Sequence, residues 1–156
     1  MSMIGIGADV SEVYTTLADG KTPALGDIFW GTGGKVYKFI QYDEATAATD
    51  GVAGEVAYYV ADTGYGASVV TSDLSDSDEV GAGVLQATMS QDEYGWVQIK
   101  GGATLTIALT AGADGDPLTA TGATDGTLDV TAAATSVVCA VAVDASANEI
   151  ICDFPF

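Results

Sequence analysis

Short runs rich in Val, Ile, Thr, Tyr and Ala alternate with clusters of Gly and Asp along the 156 residues. Nowhere does a long apolar period of 3.6 residues develop. That texture predicts strands near residues 26 to 30, 35 to 42, 55 to 61, 66 to 71, 83 to 89, 94 to 100, 103 to 110, 127 to 130, 136 to 143 and 148 to 154. Strands this short and regular, joined by Gly-rich turns, predict an all-β fold, either an antiparallel β-barrel or a β-sandwich. Residues 11 to 18 depart from the pattern. There Ser11 can cap, Val13 and Leu17 share a face and Gly20 can end a short helix, although a loose, extended arm suits the same residues. The chain therefore divides into an N-terminal arm, residues 1 to 20, partly helical or extended, and a single β domain, residues 21 to 156.

Two hairpins follow residue by residue. Gly101-Gly102 permits the positive φ angles of a two-residue turn, which sets Lys100 opposite Ala103 and Trp96 opposite Ile107. Ala103, Leu105, Ile107 and Leu109 then share one face while Thr104, Thr106 and Thr110 take the other. The second hairpin turns through residues 144 to 147 and pairs Val143 with Asn148, Val141 with Ile150, Cys139 with Cys152 and Val137 with Phe154. In that register apolar meets apolar at nearly every step, whereas a slip of one residue sets these side chains against Asp153 and Glu149. Pro155, which has no N–H to donate, closes the last strand.

Composition narrows the function. With 4 Lys, no Arg, no His and 22 Asp plus Glu, the formal charge is -18. Binding to nucleic acid or to an anionic membrane surface rests on basic side chains, so here electrostatics opposes both. The acid does not imply disorder, because 48% of the residues are hydrophobic and the mean hydropathy is +0.30. A chain of this length buries roughly 68 to 70% of the surface its unfolded form exposes, so a core needs neither metal nor disulfide. The densest apolar run, Val137 to Val143, is far shorter than the roughly 18 to 20 residues of a membrane span. The first Lys is Lys21, so the start lacks the basic region of a secretory signal. Synthesis and assembly in a cytoplasm, with reduced cysteines, is the expectation.

Candidate chemistry is sparse. Cys139 and Cys152, opposed in the expected register, are either two small hydrophobes of one core face or a cross-strand disulfide. Two thiolates without any His leave a zinc site two ligands short. The run from Asp73 to Glu79 carries four carboxylates in seven residues; it reads as a solvated loop that keeps the protein soluble, or as a weak calcium loop, although its spacing is not that of an EF-hand. Asp114-Gly-Asp116 and Asp125-Gly126 read as turns. Without His the Ser-His-Asp and Cys-His arrangements are excluded, without Arg there is no bidentate clamp, and no Gly-rich phosphate loop is present. Among 22 acids a pair spaced for glycoside cleavage arises in almost any fold and signifies little. The expectation is a protein that is not an enzyme, requires no cofactor and works through surfaces. Aromatic side chains commonly anchor such surfaces, so Trp30, near the turn at Gly31-Thr-Gly-Gly34, and Trp96 are the candidate contact residues beside the apolar start, Met1, Met3, Ile4 and Ile6. Burial within their own subunit is the competing reading for both tryptophans.

Several segments resemble a known family. Leu25-Gly-Asp-Ile-Phe with Gly33-Gly-Lys-Val-Tyr-Lys-Phe-Ile looks like the opening hairpin of the head decoration, or capsid cement, proteins of tailed bacteriophages. Tyr94-Gly-Trp-Val-Gln-Ile-Lys-Gly resembles a later strand, and Gly115-Asp-Pro-Leu with Val138-Cys-Ala-Val-Ala-Val resembles the closing half. The resemblance implies a small non-enzymatic β protein of the virion, assembled in the host cytoplasm, that binds the major capsid protein on the outer capsid surface, often as a homotrimer, and stabilises capsomer junctions. It assigns no individual binding residue, and neither the acidic run at 73 to 79 nor the final Phe-Pro-Phe matches a pattern of that family. A chain this acidic is repelled by packaged DNA, which suits the outside of a shell. Residues 1 to 20 are expected to order on a neighbouring subunit. The alternative is a fibre-base, adhesin or surface-layer β module that binds sugar or calcium.

Overall fold

The computed structural model describes residues 8–156, and over them the fold is almost entirely β. Strands β1 (Ile28–Trp30), β2 (Val36–Tyr42), β3 (Val56–Val60), β4 (Val69–Thr71), β5 (Ser77–Leu85), β6 (Tyr94–Thr104), β7 (Pro117–Thr119), β8 (Asp129–Val130), β9 (Val138–Asp144) and β10 (Glu149–Asp153) are joined by turns and one four-residue helix, α1 (Gly64–Ala67). The pairings β2–β4, β4–β3, β3–β5, β5–β6 and β6–β2 close a ring of five strands, antiparallel except for β2 and β4. Closure removes the ring's own edges. Strand β1 extends the sheet from β2, and β10, β9, β7 and β8 extend it from β6 as a wing. The free edges are thus strands of three and two residues, too short to template pairing with another chain.

One strand builds both parts. The first half of β6 pairs with β2, from Gln41↔Tyr94 to Val36↔Lys100, and its second half pairs with β10, from Asp153↔Lys100 to Glu149↔Thr104. The expected hairpin at Gly101-Gly102 is therefore absent: the chain runs straight through both glycines, and Trp96 lies opposite Phe39 instead of Ile107. Gly101 is needed for another reason. It has φ +90°, and a Cβ there would stand 2.9 Å from the carbonyl oxygen of Gly34 and 3.1 Å from Cα of Lys35. Only glycine fits where β6 leaves the barrel. Residues 105 to 110, expected as a strand, form irregular chain in which Leu105 is buried and Thr106 to Thr110 are mostly open to solvent.

The barrel interior holds Ile40, Tyr42, Tyr58, Val70, Val97 and Ile99, and the same cluster continues beneath the wing through Leu118, Ala142, Ile150, Cys152 and Phe154. Its tyrosine hydroxyls are satisfied, as burial requires. Tyr42 bonds Ser72 Oγ at 2.7 Å, and Tyr58 donates to the Thr127 carbonyl while accepting its N–H at 3.0 Å. A second cluster lies outside the barrel, on the other face of β2 and β6. There Phe39 and Trp96 meet edge to face at 5.1 Å between ring centroids, beside Tyr37. Ala8, Val10, Tyr14, Leu25 and Phe29 lie over them.

No helix forms over residues 11 to 18, which corrects the helical alternative. Asp9 accepts the N–H and hydroxyl of Ser11 at 2.9 and 2.6 Å, so Ser11 closes a turn instead of capping a helix. Tyr14 then exchanges backbone hydrogen bonds of 2.9 and 2.8 Å with Tyr94, which holds this stretch against its own barrel.

Candidate interaction surfaces

The hairpin of β9 and β10 has the apolar composition of a buried element, yet half of it faces water. Its register is Glu149↔Asp144, Ile150↔Ala142, Ile151↔Val141 and Cys152↔Ala140, with a bulge between Glu149 and Ile150. This is one residue away from the expected pairing of Val141 with Ile150 and Cys139 with Cys152. The cause is the turn. Asp144 accepts the Ala147 N–H at 3.0 Å, Asn148 takes the left-handed conformation at φ +58°, and the bulge then absorbs one residue. Cys139, Ala140, Ala142 and Cys152, with Ile150 as the one large side chain, fill the inner face, while Val138, Val141, Val143 and Ile151 point outward, 46, 39, 47 and 53% exposed. Val137, expected against Phe154, is exposed too.

The outward residues align across four strands. Gly102 on β6 lies opposite Ile151, Ile151 opposite Val141, and Val141 opposite Pro117 on β7, all exposed. A stripe without charge thus crosses the wing, roughly 14 Å between its outermost strand axes. Lys100 and Asp153, joined in an ion pair, stand on one side of it, and Thr104 and Glu149 on the other. A groove beside it is lined by Lys35, Thr104, Val143 and Ile151.

A second surface feature is Trp30. Ile28 and Phe29 are half-buried, Ile28 against the main core and Phe29 between Tyr37 and Trp96 at 6.1 and 6.0 Å. Trp30, at the tip of the β1–β2 hairpin and on the edge of the sheet, is 70% exposed. Trp96, the other candidate, is 1% exposed and serves as core under its own chain. Met1, Met3, Ile4 and Ile6 lie outside the described residues. No family model, no curated protein and no solved structure matched the chain in comparisons with each.

The acids are more than a solvated coat. Fourteen of the 22 carboxylate side chains accept a backbone N–H, most within a turn of their own. In the 73 to 79 run, Asp73 is buried and caps Ser75, Asp76 accepts from Thr46 at 2.7 Å and Asp78 from Asp62 at 3.0 Å. That run is consequently a three-residue 3₁₀ turn followed by the start of β5. Turns with Asp at these positions are built this way, the side chain standing in for a backbone acceptor. Among the described residues no group of three or more Cys, Asp or Glu is arranged to hold a metal ion.

Both cysteines are free and buried. Burial pushes each thiol up to about 12, so neither supplies a thiolate at neutral pH. Lys38, 6% exposed, donates to the Tyr59 hydroxyl at 2.9 Å and lies over the Tyr59 and Tyr65 rings at 5.0 and 5.4 Å. Burial holds its ammonium below the usual lysine range. Its Nζ is occupied by aromatic partners, and among the described residues no carboxylate pairs with it for acid–base work.

Proposed function

We propose that this chain is a non-enzymatic virion protein that binds the outer surface of a phage head and ties neighbouring capsomers together. The observation that carries the reading is Trp30, a large ring 70% exposed at the tip of a rigid edge hairpin. Rings of that size are usually buried, and an aromatic side chain on a firm scaffold is the common anchor of a protein contact. The scaffold is firm because Phe29 and Ile28 fasten the hairpin to two cores. Charge supports the outside of the shell, since a chain of -18 is repelled by packaged DNA. Many copies on one particle hold through multivalency even when each contact is weak.

The test adds the purified chain to phage heads stripped of it by mild denaturant. The reading predicts that the chain sediments with the heads and raises the temperature at which they burst. It also predicts that Trp30→Ala weakens binding by about 30-fold, the effect of losing a central aromatic anchor. A chain that stays in the supernatant while binding sugar or calcium would turn the reading toward a fibre-base or adhesin module.

A further inference from the structure

The uncharged stripe on the wing has a shape and charge pattern that its own copy fits. We infer that β6 and β10 form a two-fold contact with a second copy of this chain, the axis running along the strands midway between them. Such an axis lays β10 of one copy over β6 of the other. Three rows then meet. Ile151, projecting and 53% exposed, comes over Gly102 of the second copy, where a side chain would find nothing within 4 Å: a knob over an open notch. Asp153 comes over Lys100, so the ion pair that each copy makes internally is repeated across the contact. Glu149 comes over Thr104, the residue it already faces within its own sheet. Because each copy presents both the knob and the notch, and both signs of charge, the face is complementary to itself.

Charge also decides against other occupants. Two copies of a chain carrying -18 repel unless the surfaces that meet are near balance, and this face comes close to it: Lys35 and Lys100 stand against Glu149 and Asp153, with Asp144 beside Glu149 at one end. Of the four lysines, Lys38 is buried and only Lys21 lies elsewhere on the surface. A basic partner would be steered to the acid-rich remainder of the molecule. Carboxylates beyond about 8 Å of the contact are screened at physiological salt. The wing is narrow beside a standard interface of about 800 Å² per partner, so the contact is reversible, in the micromolar range. It is separate from the Trp30 surface and independent of the capsid reading.

Sedimentation equilibrium of the full chain over about 1 to 200 μM tests it with paired variants. The wild type reaches a dimer. Gly102→Val fills the notch where the strand has room, so it keeps its thermal melt and weakens association by about 30-fold or more; Ile151→Lys does the same from the other side. Gly102→Val combined with Ile151→Ala, a filled notch against a smaller knob, recovers most of the wild-type association. A wild type that stays monomeric overturns the inference. So does a dimer indifferent to Gly102→Val and Ile151→Lys, a trimer in place of a dimer, or a double variant weaker than both singles.

Discussion

The outer face of β2 and β6 and the outer face of β9 and β10 are made of the same kind of residue and end in opposite states. On the first, Tyr37, Phe39 and Trp96 are covered by residues 8 to 29 of the same chain, and Trp96 falls to 1% exposed. On the second, Val138, Val141, Val143 and Ile151 remain open. The side chains beneath also differ. The covered face lies over a barrel of Ile, Val and Tyr, whereas the inner face of β9 holds only Cys139, Ala140 and Ala142, and its valines all point outward. An apolar face that the chain covers itself adds to folding stability, and one that it leaves open adds to association instead.

Disrupting the covered face should have the largest effect. Trp96→Ala removes a buried ring from contact with Phe39 and Phe29 and is expected to cost about 3 to 5 kcal/mol in denaturant unfolding. A loss under about 1 kcal/mol would show that the cover is loose and that the two faces do not differ. Next comes the junction between them. Gly101→Val forces a branched side chain into φ +90° against the Gly34 backbone and should cost about 1 to 3 kcal/mol or more; an unchanged melt would mean that β6 does not need to turn from barrel to wing there.

Acid acts on both regions together. Hydrogen bonds from Ser11 to Asp9, in the cover, and from Ser146 and Ala147 to Asp144, at the tip of the wing hairpin, hold these carboxyls below their usual value, as Thr46 does for Asp76. Each binds its proton more weakly folded than unfolded, so its contribution is complete above the unfolded value of 3.8 and is lost as pH falls through the lower folded one. Repulsion within a chain of -18 works the other way and fades toward the isoelectric point near 4.1. The melting temperature should therefore climb as pH falls from 7 toward 4.1 and drop below 3.8. A melt that keeps climbing through strong acid would leave the carboxylate turns without a stabilising part.

The smallest effect belongs to the open face. Val141→Ser, at a side chain 39% exposed, should alter folding stability by no more than about 0.5 kcal/mol, read by the same denaturation. A larger loss would mean that the wing face is covered within its own chain after all.

How much of this could be read from residues depended on what each pattern leaves undetermined. Alternation and turn residues place most strands, because Val, Ile and Tyr between Gly and Asp have few other uses. They fail at Gly101-Gly102, since a glycine pair suits a hairpin turn and a close backbone approach equally. They fail again in the last hairpin. The slip of one residue, which on composition alone sets side chains against Asp153 and Glu149, still pairs Val141 with an isoleucine, Ile151 in place of Ile150, and the Asp144 turn and its bulge decide for it. Strand β7, three residues with Pro at its start, carries no periodic signal. Both tryptophans stand out as aromatic residues, and composition does not separate Trp30, open to solvent, from Trp96, which lies in the core. The bare stripe was hidden because its residues look like core, and exposure is not a property of composition.

Oxidative footprinting of side chains across a dilution series compares the two faces within one sample. At low concentration Val141, Val143 and Ile151 should be modified readily while Trp96, despite its reactive ring, is spared. At high concentration the account predicts that Ile151 and Val141 become protected and Trp96 does not change. Equal modification of Ile151 and Val141 at every concentration would contradict it.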